Sequence, residues 1–552
     1  MGWPNRQTGI VVIALAIGVA ALAVGAPGTG AQKPAAGPGQ LGSVQFATSC
    51  DPAVQVDFAR GVALLHSFWL DAAIKQFGEV AARDPRCAIA HWGTAVAWLG
   101  NPLAGPTSPR GLQEGSAAVA RAKAAGAKTQ RERDYVAAIE AFYKDHDRVD
   151  HRTRALAYEK AMERLATAYP EDREAGIFYA LALNITFDPA DKTYANQLKA
   201  AAYLEKVFVE QPDHPGVAHY LIHSYDFPPI AAKGLPAAKR YAGIAPAAPH
   251  ALHMPSHIFT RVGAWQESID TNKASAQAAR AALAASEYTY GLRSYEALHA
   301  HDYMMYAFMQ LGRDREAQAL MEEVLGTKKL NVDHFAGAFA LAAIPARYTL
   351  ERGRWADAAQ LTFTPSELAW DRFPQAESIV WFARALGGAR AGDLASARRD
   401  LGRLEALRDK LTQAKNTYWA QQSEIQRRAV AAWVALGEGR RADALALARA
   451  AADLEDSTEK HPVTPGAVKP ARELLAELLL ETKDPGGALK EFEASHRTDP
   501  RRFAGLWGAG RAAELSANRA KAREYYTQLV ALAQAADGGR PELAHARGYL
   551  AK

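Results

Sequence analysis

The sequence is short of several things, and each shortage closes off a class of function. Charge of one sign is missing: 65 basic residues face 60 acidic ones, a net of +5. That near-balance gives no reason to invoke nucleic acid or a strongly anionic partner. Alternation with a period of two is missing, so almost no sheet is expected. Beyond the N-terminus no apolar stretch could cross a bilayer. There is no Gly-rich phosphate loop ending in Lys-Ser/Thr, no Gly-x-Ser-x-Gly elbow and no His-Glu-x-x-His. Cysteine is almost absent, with Cys50 and Cys87 the only two.

What is present is length and apolar content. At 552 residues the chain exceeds one compact core, and its 49% hydrophobic composition supports a large interior. The N-terminus reads as a targeting segment over residues 1–31. Arg6 precedes the apolar run "IVVIALAIGVAALAVGA", and small residues follow, with cleavage expected after Ala31. The alternative is an uncleaved N-terminal membrane anchor, because the run nearly reaches spanning length. Residues 32–49, with "KPAAGPGQLGS", read as a flexible lead-in. Export implies a periplasmic or secreted protein. In that oxidising setting Cys50 and Cys87, which flank the first expected helix pair, can form one disulfide or remain two buried thiols.

Repeats organise the rest. "RVGAWQESID", "QLGRDREAQAL", "ERGRWADAAQL" and "RAGDLASARRDL" each place Gly at a helix end and small residues a few positions on. "FGEVAARDP", "FVEQPDHP" and "FEASHRTDP" end helices with an acidic residue and Pro. The pattern resembles the tetratricopeptide repeat from about residue 52 onward, and the chain is also similar to the broad group of secreted bacterial proteins with this repeat. The resemblance implies an all-α fold: antiparallel helix pairs stacked in a right-handed solenoid, the first helix of each pair lining a concave groove. Three Pro-rich stretches interrupt it: "NPLAGPTSPRG", "LTFTPSELAWDRFPQAES" and "STEKHPVTPGAVKP". The expected division is an N-terminal array over 50–361, a break at 362–375 and a C-terminal array over 376–552.

Two stretches are not needed by ordinary repeats. "PGVAHYLIHSYD" holds His219 and His223, and "PHALHMPSHIFTRVGAW" holds His253 and His257. Each pair is spaced four apart, on one helix face, and the pairs are 34 residues apart, one repeat unit. Aligned on Pro212 and Pro246, His219 and His253 take the fifth position of the first helix, His223 and His257 the ninth, and His250 the second. In the next unit His299, Asp302 and Tyr306 take the second, fifth and ninth positions. The resemblance implies that these positions face the groove. Packed helices lie about 8–10 Å apart, so His219, His223, His250, His253, His257, His299 and Asp302 could meet at an ion. Such His/carboxylate ligands suit Zn²⁺, Fe²⁺, Cu²⁺ or Mn²⁺, and that many histidines could hold two ions. Pro255 should break or kink the helix before His257, and Pro345 holds the equivalent place in "AIPARYTLERGRW".

Glu174 aligns with the second position and Asp226 lies three beyond His223; both are weaker groove candidates, as are Arg347, Arg511, Lys460, His461 and Glu473. Trp92 and Trp98 read as core packing. No organic cofactor is implied. The first functional expectation is an exported scaffold with a metal-binding centre that holds a peptide or protein partner. The alternatives are a hydrolytic or oxidative metalloenzyme and a metal-free peptide binder.

Overall fold

A computed structural model describes residues 40–285 and 292–552, together with Met1 and Gly2. The expected signal segment, apart from those first two residues, and the lead-in through residue 39 lie outside the described residues. The described chain from Gln40 onward lies within one compact unit. Its fold is all-α, a tetratricopeptide-type stack of consecutive helix pairs. The strands Leu292–Arg293 and Lys329–Leu330, paired in parallel, are the only ones among the described residues.

Local chemistry sets the helix boundaries. Ser108, Thr129, Asp150 and Asp172 each accept a hydrogen bond from a backbone N–H in the first turn of the helix that follows. Gly312 and Gly392 end their helices in the left-handed region, with φ of 68° and 89°, which explains the Gly in two of the repeat motifs. The second half of the expected flexible lead-in is instead packed. Leu41 and Phe46 are buried, Ser43 N–H donates to Asp213 O at 3.0 Å, and the Phe46 ring meets Phe58, Trp92 and Tyr135 at 5.1–5.4 Å between centroids. A disulfide joins Cys50 to Cys87.

Buried apolar residues form two large cores, one running from Leu41 to Phe259 and the other from Trp265 to Ala546. The expected break at 362–375 falls inside the second core. There the chain between Ala358 and Pro374 carries only the turn Trp370–Arg372. The two prolines expected to act alike differ. Pro255 separates the short helix Pro249–His253 from Pro255–Arg261, whereas Pro345 lies inside the unbroken helix Phe335–Glu351. The stretch 457–470 is non-helical and crosses back over the helices that carry the histidines.

Candidate metal centre

Four helices present the histidines, at the seam between the two cores. Pro215–Tyr225 carries His219 and His223, Pro249–His253 carries His250 and His253, Pro255–Arg261 carries His257, and Tyr295–Leu311 carries His299. Pro215 opens the first of these, and the preceding His214 caps it by accepting Val217 N–H at 3.3 Å. Gly216 allows a close approach to the helix Gln55–His66. A Cβ there would lie 2.5 Å from His66 Nδ1.

The histidines form two sets. Within His219, His223 and His250, and within His253, His257 and His299, one ligand nitrogen per residue lies within 4.8 Å of the others. His219 Nε2 is 3.1 Å from His223 Nε2 and 3.2 Å from His250 Nε2. His253 Nε2 and His257 Nε2 are 3.1 Å apart. His250 and His299 are half-buried, and the other four are buried.

Hydrogen bonds on the far side of three rings fix their tautomers. His219 Nδ1 can only donate to the carbonyl His66 O, at 2.6 Å. His257 Nδ1 donates to the Asp226 carboxylate at 2.9 Å. His253 Nδ1 donates to Asn272 Oδ1 at 2.7 Å, because the Asn272 amide nitrogen is committed to Ser268 O. The Nε2 atoms of all three rings therefore carry lone pairs, and those of His253 and His257 point at each other. Two lone pairs at that distance repel unless a cation stands between them. A proton is disfavoured there: burial, and then the neighbouring His257, push His253 down to about 3. Burial likewise pushes His219, His223, His250 and His299 well below the ordinary imidazole range, each with another histidine as the second cause. A transition-metal ion satisfies the lone pairs without a proton. Ring N–H groups held by a carbonyl, an amide and a carboxylate are the usual support for metal-bound histidine.

That support predicts a measurable effect. Asn272→Ala removes the group that orients His253 but no ligand, so metal affinity should fall about 10–100-fold in a competition titration while helix content stays unchanged.

Asp226 ties the centre to the crossing stretch 457–470. Besides His257, its carboxylate accepts Arg261 Nε at 2.9 Å and Lys460 Nζ at 2.7 Å. Burial pushes the Asp226 carboxyl up, but Lys460 and Arg261 outweigh it and hold the group well below its ordinary range. Burial brings Lys460 down to about 8 against the pull of Asp226. Glu459 accepts from Tyr194 OH at 3.0 Å and Lys192 Nζ at 2.7 Å. The Tyr303 hydroxyl lies 3.2–3.3 Å from His257 Nε2, Pro462 O and Thr464 O. Bordering this strap, with Arg261 and Trp419, is a cavity of about 410 Å³ that none of the six histidines lines.

Several candidates belong elsewhere. Asp302, expected as a ligand, is taken by Arg347, whose Nε donates to it at 2.8 Å. Arg347 is itself buried, and also donates to Thr464 Oγ1, Gly466 O and Ala467 O. Tyr306 and Glu473 both receive hydrogen bonds from Arg502 at 2.7 Å. His461 packs on Trp419 and accepts Val463 N–H at 3.2 Å. Arg511 pairs with Glu514 at 3.0 Å. Glu174 accepts from His66 Nε2 at 2.9 Å and His214 Nε2 at 2.8 Å. Burial pushes that carboxyl up, but the two imidazoles bring it to about 2. The other nitrogens of His66 and His214 meet Tyr220 OH and Val217 N–H, so this cluster is saturated by its own hydrogen bonds. His66, Asn272, Tyr303 and Phe68 have no sequence signal of their own. His66 lies 153 residues from the histidine it orients.

No family model matches the chain, and no curated protein matches it. Solved structures similar to it include the human IFIT1 dimer with m7Gppp-AAAA, at 14% identity and a TM-score of 0.36, covering 82% of this chain and 90% of that one. Others are Naa15/Naa10 bound to HypK-THB, at 13% and 0.22, covering 90% and 73%, and the APC/C hetero-tetramer Cut9-Hcn1, at 10% and 0.27, covering 89% and 94%. With TM-scores this low, the fold reading rests on the chain's own helix pairs.

Proposed function

We propose that this is an exported tetratricopeptide-type scaffold built around a histidine centre for a transition-metal ion, Zn²⁺, Fe²⁺, Cu²⁺ or Mn²⁺. The observation that carries this reading is the pair of facing lone pairs on His253 and His257, each fixed by an acceptor behind its ring. Export is supported by the N-terminal apolar run, and a disulfide between Cys50 and Cys87 suits an oxidising compartment. A peptide or protein partner would meet the scaffold at the cavity beside the strap, where Lys460 links the cavity wall to Asp226 and so to His257. A peptide lying directly on the histidines is less well supported, because the chain's own residues 457–470 cross that face. Among the described residues no helix is long and apolar enough to span a membrane.

A metalloenzyme is the second reading. Three histidines per ion leave a coordination position for water, and the half-buried His250 and His299 give solvent a way to it.

Elemental analysis of the protein as purified, before and after dialysis against chelator, tests the first reading. At least one equivalent of a transition metal is expected, and its loss in the His219→Ala/His253→Ala double variant. No metal as purified, and no uptake of Zn²⁺, Cu²⁺, Fe²⁺ or Mn²⁺, would refute it.

A further inference from the structure

We propose that the centre is dinuclear: one ion held by His219, His223 and His250, a second by His253, His257 and His299, with one small anion bridging them. The inference rests on the metal-centre reading and adds the ion count, the division of the ligands and the class of exogenous ligand.

The repeat builds the same site twice. In each set two histidines spaced four apart come from one unit, and the third comes from the second position of the next unit: His250 completes the first set and His299 the second. Each set is compact enough for a single ion, whose ligands at about 2.0–2.1 Å must lie within a few ångströms of one another. Each has its own orienting groups, the His66 carbonyl for the first and Asn272 with Asp226 for the second. The sets adjoin, with ring centroids 5.8 Å apart between His223 and His257 and 6.1 Å between His250 and His253.

Charge and space select the bridge. All six rings are neutral ligands, so two divalent ions bring four positive charges into a buried site. Asp226, behind His257, is not among the ligand sets and already answers Lys460 and Arg261. An anion between the ions offsets the excess. Aromatic rings pack around both sets: Phe68 stacks on His250 at 5.4 Å and meets His219 at 4.5 Å, while Tyr303 meets His253 at 4.7 Å. Hydroxide or another anion of two or three atoms fits this description; a peptide carboxylate on its chain does not.

The test loads the chelator-stripped full chain with Cu²⁺ and counts both metal and electron spins, with and without azide. Two equivalents are expected, with integrated spin intensity well below two when azide, or a hydroxide already present, bridges the ions. The His219→Ala/His223→Ala variant should keep one equivalent with full one-spin intensity that azide does not quench. His299→Ala, at a half-buried position and less prone to misfold, should likewise lose one equivalent. One equivalent in the unaltered chain, lost from either set alike, would overturn the dinuclear inference while leaving the metal centre intact. Two equivalents with full two-spin intensity both without and with azide would overturn the bridge. No Cu²⁺ or Zn²⁺ uptake at all would instead reject the metal-centre reading beneath it.

Discussion

Stripping the metal should lower the protein's resistance to urea by about 4 kcal/mol for each ion present at a thousandfold its Kd, since an ion that binds only the folded state stabilises it by mass action. The physical reason lies in the rings. Without an ion, the Nε2 atoms of His253 and His257 face each other at 3.1 Å, and neither can turn away without breaking its bond to Asn272 or Asp226. The loss should appear in the earliest unfolding transition, because the centre sits at the seam between the two cores. In a His253→Ala/His257→Ala variant the chelator-dependent part belonging to that set should vanish. Urea curves with and without chelator, on both proteins, check this directly.

Arg502→Met should destabilise the protein by about 3–5 kcal/mol while leaving the metal content unchanged. Arg502 is fully buried. Its Nε donates to Glu473 at 2.7 Å, one Nη donates to Tyr306 OH at 2.7 Å, and the other pairs with Glu351. This joins the C-terminal helices to Tyr295–Leu311, the helix that also carries His299. Methionine fills similar volume but takes from two buried carboxylates the cation that hydrogen-bonds both, leaving only Lys469, 4.0 Å from Glu473, close by. The sign of the pH effect follows. Burial pushes Glu351 up, yet Arg502 together with Lys469 and Arg540 holds the group below its ordinary range, so in the unaltered protein this contribution is present above the unfolded pKa and is lost in acid, whereas burial holds the neighbouring Glu473 above its ordinary range. Removing Arg502 takes away the largest of the groups that lower Glu351 and Glu473, so protonating these carboxyls should cost the variant less folding stability than it costs the unaltered protein. The deficit of the variant should therefore shrink as the pH is lowered from 7 toward about 5. Urea midpoints across that range measure it.

The parts of the centre that repeat were readable from sequence. The 34-residue offset between the histidine pairs, and their spacing of four, placed His219, His223, His253 and His257 together, and register on the repeat added His250 and His299. Glycines in the repeat motifs located helix ends for the same reason: a left-handed residue is a local demand that the sequence must meet locally. Asp302 was read differently by register and by the structure. Register named the helix face but not the partner, and Arg347 on a neighbouring helix holds one of the Asp302 carboxylate oxygens. Lys460 was legible only as a weak groove candidate, because its contact with Asp226 spans 234 residues, a distance over which no periodicity carries information. Asn272 and the His66 carbonyl were invisible for a related reason. Any amide or backbone oxygen can orient a ring, so the residue type gives no warning.

The most direct single measurement is X-ray absorption at the edge of whatever transition metal the protein carries as purified. A shell of about three nitrogens near 2.0–2.1 Å, the range for imidazole on zinc, is expected, with the outer-shell scattering that imidazole rings produce. An inner shell made only of oxygen or sulfur, with no imidazole scattering, would contradict the claim that these histidines hold the ion.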